Sequence, residues 1–274
     1  MAPIIRVANL RKVYKIGKER VVALNNIDLV IEEGEVVSIV GPSGSGKSTL
    51  LNQLAGLEKP TRGEVFIGKN NITKMNENEL ATFRQKYLGF VFQSYNLLPA
   101  LTAAENVALP LVFKGVAKDT REKEAKIELE KMGLGSRAGH KPTEMSGGQQ
   151  QRVGIARAFI GTPKVVFADE PTGNLDSKTT QTVLEAMLAS AKERGITFIM
   201  VTHDPGIAAV ADRVVTIMDG QVLSDVYNKN PGYKPPEVTQ YSAQAQNANE
   251  TPAGQIPHSA GAQIKKHITE ESKR

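Results

Sequence analysis

The chain has 274 residues, 40% of them hydrophobic, with no cysteine and a formal net charge of +5. That is room for one large domain or two small ones. It excludes a disulfide framework, thiolate chemistry and a cysteine metal site, and no apolar run approaches the ~18 residues of a membrane helix. Arg6 and Arg11 interrupt the first residues, which do not read as a signal peptide. The modest positive charge favours acidic partners such as nucleotide or anionic lipid and gives no ground for expecting nucleic acid.

Taken in order, residues 4–14 and 21–31 read as two strands, with a Gly17-Lys18-Glu19 turn that suggests a hairpin. Tyr14 is the aromatic here, and two readings are open: a ring stacked on a nucleotide base, or a strand tyrosine packed on the core. Residues 35–40 form a short β-branched run, a buried strand. It leads into Gly41-Pro42-Ser43-Gly44-Ser45-Gly46-Lys47-Ser48-Thr49, which fits the G-x-x-x-x-G-K-[ST] phosphate-binding loop. A helix follows, with Leu50, Leu51 and Leu54 at helical spacing. The chemistry needs these residue types. Glycines let successive N–H groups turn inward on phosphate oxygens, and a helix N-terminus adds partial positive charge. A lysine reaches the β- and γ-phosphates, and a Ser48 hydroxyl can ligate Mg²⁺.

Residues 64–68 read as a strand, 77–87 as a polar helix and 88–93 as an apolar strand ending in Gln93. That amide could report on a γ-phosphate or a metal-bound water, or be an ordinary loop glutamine. Residues 96–113 are rich in leucine and valine, and Pro99 and Pro110 argue against one continuous helix; the segment is either a partner surface or buried. Residues 119–132 make an amphipathic helix with Ala125, Leu129 and Met132 on one stripe, and 137–142 a turn.

Ser146-Gly147-Gly148-Gln149 opens another helix, with Val153, Ala156, Phe159 and Ile160 at helical spacing. It is either a plain glycine turn or a second anion site. One loop binds one triphosphate, so a second anion loop is best explained if it serves a second copy of the chain. Residues 164–170 are an apolar strand ending in Asp169 and Glu170. After a phosphate loop, the first acid of such a pair holds Mg²⁺, and its neighbour can act as general base toward water. Residues 179–194 read as a helix that buries Val183, Leu184, Met187, Leu188 and Ala191. Residues 196–201 are a strand followed by His203, a possible partner of the γ-phosphate. Residues 208–211 read as helical, and 213–224 as a hairpin around Asp219-Gly220. From about Asn228 the composition turns to Gln, Asn, Ala, Pro and Ser, too polar to bury a core.

Together these motifs resemble the ATP-binding subunit of ABC transporters. Gly41 to Ser48 looks like the Walker A loop, Gln93 falls at the Q-loop, and residues 145–149 look like the ABC signature, with Met145 where the family usually has Leu. Residues 165–170 look like Walker B plus the catalytic glutamate, Asn174-Leu175-Asp176 like the D-loop, and His203 like the switch histidine. Tyr14 falls at the position of the adenine-stacking aromatic. Residues 89–93, 96–99, 105–107, 146–153 and 168–176 look like the macrolide-export and lipoprotein-release branch.

The resemblance implies an α/β P-loop NTPase of the ABC ATPase type. Its mixed central sheet would carry an antiparallel β part and an inserted helical subdomain over about 94–160, within a domain of residues 1–228. Residues 229–274 would be a tail. It implies ATP and Mg²⁺ as cofactors, with Ser48, Gln93 and Asp169 around the metal and Glu170, His203 and Gln93 catalytic. Tyr14, residues 41–49, Ser146 to Gln149 and Asp176 would bind nucleotide. The partners would be a second copy in the ATP-bound state and an integral-membrane permease, which would hold the chain on the cytoplasmic face of the membrane. A non-transport ABC ATPase of translation or DNA repair, and a P-loop kinase, are the alternatives.

Overall fold

The computed structural model describes residues 3–173 and 175–228. The tail and Asn174 lie outside them. Two sheets enclose one helix, and further helices cover the opposite face of the larger sheet.

The smaller sheet is antiparallel, in the order β2-β1-β4-β5. Its strands are β1 (Pro3–Ile16), β2 (Glu19–Glu32), β4 (Arg62–Ile67) and β5 (Asn70–Asn71). The larger sheet runs β10-β9-β3-β8-β7-β6. It is built from β3 (Val36–Val40), β6 (Leu88–Val91), β7 (Val165–Asp169), β8 (Thr197–Val201), β9 (Arg213–Met218) and β10 (Gln221–Tyr227). All its pairings are parallel except β9 with β10. Every residue of β3 and β8 is buried, as expected of central parallel strands covered on both faces.

The strand period separates the two faces. Val165 and Phe167 point with Val37, Ile39, Ile199 and Val201 into one core, completed by the antiparallel sheet, α1 (Lys47–Leu54) and α2 (Glu77–Tyr87). Val166 and Ala168 point into the other core. An eight-residue helix is unstable alone. Burial of Leu50, Leu51 and Leu54, roughly 2 kcal/mol each, holds α1 in place.

The second core joins α6 (Ser177–Glu193) to a helical subdomain of α3 (Ala103–Phe113), α4 (Lys118–Lys131) and α5 (Gly147–Phe159). Ala125, Leu129 and Met132 are buried together, as their spacing predicts. The Arg194 guanidinium ties this region together, bonding both Glu128 carboxylate oxygens at 2.7 Å and the Phe159 carbonyl at 3.0 Å.

Some boundaries differ from expectation. Pro99 lies outside any helix, but Pro110 lies inside α3. An interior proline costs ~3 kcal/mol, and burial of Val107, Ala108 and Leu111 offsets it. The strand expected to reach Gln93 stops at Val91. The helix expected at 208–211 is α7 (Pro205–Ala208), set earlier because Asp204 caps the Gly206 and Ile207 amides and Pro205 supplies the first turn. The second hairpin strand runs on to Tyr227. Asn228 closes the body, at the end of the expected domain: its side-chain amide donates to the Ala209 and Ala211 carbonyls.

Candidate nucleotide site

The strand order puts four functional loops side by side. β3, β8, β7 and β6 are parallel neighbours, so their C-terminal ends share one edge of the sheet, where α/β proteins bind ligands. Those ends carry the phosphate loop, His203, Asp169-Glu170 and Gln93.

The glycines of the loop are required by close approach. A Cβ on Gly41 would lie 2.0 Å from the Ile217 carbonyl oxygen, and one on Gly46 2.5 Å from that of Ala23. The loop is thus pressed between β9 and β2, with Gly46 at φ 101 starting α1. The first N–H groups of α1 have no intrahelical acceptor. Lys47 is buried, and its Nζ donates to the Pro42 carbonyl at 2.7 Å. Burial lowers its pKa, although the charges of Glu170 and Asp169 pull the other way. Among the described residues Lys47 has no ion-pair partner. The Ser45 hydroxyl is likewise buried without a hydrogen-bond partner. A buried cation without an ion-pair partner calls for an anion. Lys47 borders a cleft of about 510 Å³ that Ser43, Gly44, Ser48, Thr49, Glu170 and His203 also line. A nucleoside triphosphate fits this donor set.

The Ser48 hydroxyl donates to Asp169 Oδ1 at 3.2 Å, so two hard oxygens stand together beside the cleft. Burial raises the Asp169 pKa first, and the Glu170 charge adds to it; the Ser48 bond and Lys47 oppose. No cluster of three or more His, Cys, Asp or Glu is present among the described residues. The Ser48 and Asp169 oxygens fit Mg²⁺, which takes one or two protein oxygens and completes its octahedron with phosphate and water.

Glu170 has φ 45, a left-handed conformation that a non-glycine residue adopts at a cost of ~1 kcal/mol or more. Its carboxylate is held by His203 Nδ1 at 2.8 and 2.7 Å. A Cβ on Gly173 would meet Gln93 Nε2 at 3.2 Å and Glu170 Oε2 at 3.4 Å, so amide and carboxylate flank the same glycine. Tyr14 is not among the residues that line the cleft, but its hydroxyl interacts with Thr49, which is. The Tyr14 hydroxyl donates to Glu58 at 2.7 Å, and Lys12 Nζ lies 5.1 Å from the Tyr14 ring centroid.

The loop at 146–149 is elsewhere. Ser146 is exposed and caps α5. Its hydroxyl accepts from the Gln149 N–H at 3.4 Å, and its own N–H donates to Gln149 Oε1 at 3.0 Å. None of these residues lines the phosphate-loop cleft. Asp176 caps α6, accepting from the Thr179 N–H at 3.0 Å and hydroxyl at 2.6 Å.

Three supporting residues went unread in the sequence. Arg157 donates to the Tyr95 and Asn96 carbonyls at 2.7 and 2.5 Å and so holds the left-handed pair after Gln93. Burial lowers its pKa. Asn106, fully buried, bonds the Leu98 amide and the Leu98, Leu101 and Thr102 carbonyls. Gln151, also buried, donates through Nε2 to the Pro171 carbonyl. A buried polar residue in the middle of an apolar helix face was the available signal for the last two.

Site and fold define an ATP-binding cassette, and the comparisons agree. The family model described as ABC transporter matches residues 24–173, and the chain belongs to the ABC transporter family as an ATP-binding, ATP-hydrolysing member. It is 50% identical, over 82% of its length and 100% of the relative's, to the uncharacterized ABC transporter ATP-binding protein MJ1508 of Methanocaldococcus jannaschii. It is 44% identical to the macrolide export ATP-binding/permease protein MacB 1 of Yersinia pestis over 84% of its own length, which spans 35% of that protein. Among solved structures, the cassette MJ0796, dimeric in a post-hydrolysis state with ADP and Pi, matches with a TM-score of 0.78 at 44% identity. The match covers 83% of this chain and 100% of that one.

Proposed function

We propose that the chain hydrolyses Mg²⁺-ATP at two sites shared across a head-to-tail homodimer and so drives a separate membrane permease of the macrolide-export and lipoprotein-release branch. The observation that carries this is the separation within one chain. The phosphate cleft holds a lysine with no ion-pair partner among the described residues, while the second anion loop, exposed Ser146 with half-buried Gly147 and Gly148, does not line it. That MJ0796 forms a dimer supports the same arrangement here.

Each residue then has a task. Lys47 and the loop amides bind the β- and γ-phosphates. Tyr14 offers its ring to the base on the side away from Lys12. Ser48, Asp169 and Gln93 would hold Mg²⁺, which supplies charge neutralisation at the phosphates. Glu170 takes the proton of the attacking water, and His203 orients that carboxylate and can turn to the γ-phosphate. Ser146, Gly147 and Gly148 of one copy, with Gln149 and Asp176 behind them, close on the nucleotide of the other.

The permease would dock in an apolar groove of about 380 Å³ between α2, β6, α3 and α5. Phe113 at its rim is 70% exposed and Leu57 46%. Leu98, 49% exposed, stands on the loop after Gln93, while Leu97 packs against the core. No helix among the described residues is long and apolar enough to cross a membrane. The chain would therefore sit on the cytoplasmic face through its partner.

Glu170→Gln, which keeps ATP and loses the base, should run as a dimer with Mg²⁺-ATP and as a monomer with ADP by size exclusion with light scattering. A monomer under both conditions overturns the two-site reading.

A further inference from the structure

Gln151 lies one turn into α5, behind the helix start at Ser146–Gly148, and is 1% exposed. Its Nε2 donates to the carbonyl of Pro171, the residue directly after Glu170, while its Oε1 is buried without a partner. Glu170 itself is held in the left-handed region, its N–H on the Val201 carbonyl and its carbonyl on the Gly173 N–H. The same helix start is fixed on a second side. A Cβ on Gly148 would meet Thr179 Cγ2 at 2.6 Å, and Thr179 is held in turn by Asp176. The start of α5 and the turn that carries Glu170 are thus joined by a hydrogen bond from a side chain that the cleft itself does not use.

We propose that Gln151 is a positioning residue: its amide fixes the backbone of Glu170 to the start of α5, so that closure of that helix on one nucleotide and the setting of the carboxylate for the other are one motion. The two-site half of this statement rests on the dimer proposed above; the hydrogen bond and its effect on Glu170 lie within one chain. The residue type matters because a carbonyl needs a donor. Methionine preserves the length of the side chain and removes the donor. Glutamate preserves the shape, and when ionised it presents only acceptors to the Pro171 carbonyl. Once protonated it regains an O–H donor, and burial raises its pKa.

The test uses the full chain. Gln151→Met should lower kcat roughly tenfold or more and bring the Hill coefficient for ATP toward one. Calorimetric ATP affinity and Tm should stay near wild type, since Lys47 and the phosphate loop are untouched. Gln151→Glu should show the same loss at pH 8 and recover relative to wild type as pH falls to 6; Gln151→Met should show no recovery. Wild-type kcat and Hill coefficient in both variants would overturn the proposal, as would a Gln151→Glu deficit that does not change with pH. A joint loss of Tm, affinity and kcat would reduce Gln151 to a structural residue. Glu170→Gln is the control for the dimer. If it dimerises with ATP alone and also when combined with Gln151→Met, the fault lies in setting the carboxylate, as proposed. If Glu170→Gln alone stays monomeric, the two-site half falls, while the pH profile still decides the bond to Pro171.

Discussion

The phosphate loop and the Ser146–Gln149 loop are both glycine-bearing helix starts, and they use their polar groups in opposite ways. In the first, Lys47 has no ion-pair partner among the described residues and the Ser45 hydroxyl no hydrogen-bond partner, inside walls supplied by β9 and β2. In the second, exposed Ser146 and half-buried Gln149 satisfy each other in a capping box. The first is an anion cavity complete within the chain. The second is a stable, solvated edge that becomes an anion site only when another molecule brings the anion to it. The same local motif therefore has a role decided by what surrounds it.

The sharpest way to break this contrast is Lys47→Ala. It should weaken ATP binding by calorimetry about 100-fold, near the ~3 kcal/mol expected for a charge-assisted bond to a buried phosphate. Unchanged affinity would mean that the cleft does not hold the triphosphate.

Gly148→Ala tests the other loop. The added Cβ would collide with Thr179 Cγ2 at 2.6 Å and push the helix start outward. Turnover should fall about tenfold or more, a loss of ~1.4 kcal/mol or more in transition-state stabilisation, while the affinity of a single chain for ATP stays within about twofold. If affinity falls in step with turnover, the two loops serve one cleft and the contrast disappears.

A smaller effect is expected at the groove. Replacing Leu98 and Phe113 with Ser removes two exposed apolar side chains. Basal ATPase should be unchanged and Tm should move by no more than ~2 °C, while stimulation by a reconstituted permease is lost. A Tm many degrees lower, with basal activity gone, would make these residues core.

What could be read from the sequence divides along the same line. The phosphate loop, the Asp169-Glu170 pair and the helix periods are local patterns, and the strands and helices stand close to where periodicity places them. Residues 96–113 are not one continuous helix, as the prolines suggested, but the break lies before Ala103 and Pro110 stands inside α3, where burial of Val107 and Leu111 outweighs a lost backbone bond, a tertiary effect that no local rule contains. Arg157, Asn106 and Gln151 act on backbone carbonyls as many as 62 residues away in sequence. Such acceptors carry no side-chain signature, so the partners of these residues become visible only in the fold. The position of Ser146 relative to Lys47 is also long-range, and the sequence alone could propose a second copy only by counting anion loops.

The smallest effect concerns the cost of holding charge ready in the cleft. Asp169 has its pKa raised above the ordinary carboxylate range, chiefly by burial. A carboxyl whose folded pKa exceeds its unfolded value holds its proton more tightly when folded, so ionising it costs the folded state stability. The cost is fully present above the folded pKa and gone below the unfolded one, near 3.9. Asp169→Asn keeps an oxygen for the Ser48 hydroxyl and removes the charge. Without nucleotide at pH 7 its Tm should exceed wild type, and the gap should close as pH falls through the Asp169 titration. With saturating Mg²⁺-ATP the order should reverse, because only the wild type gains the full stabilisation of the bound metal nucleotide. Thermal scans at two pH values, each with and without Mg²⁺-ATP, separate the cases. A variant that melts lower at pH 7 without nucleotide would show that the Asp169 carboxylate supports the phosphate-loop helix, and that the charge is not held there at the expense of the fold.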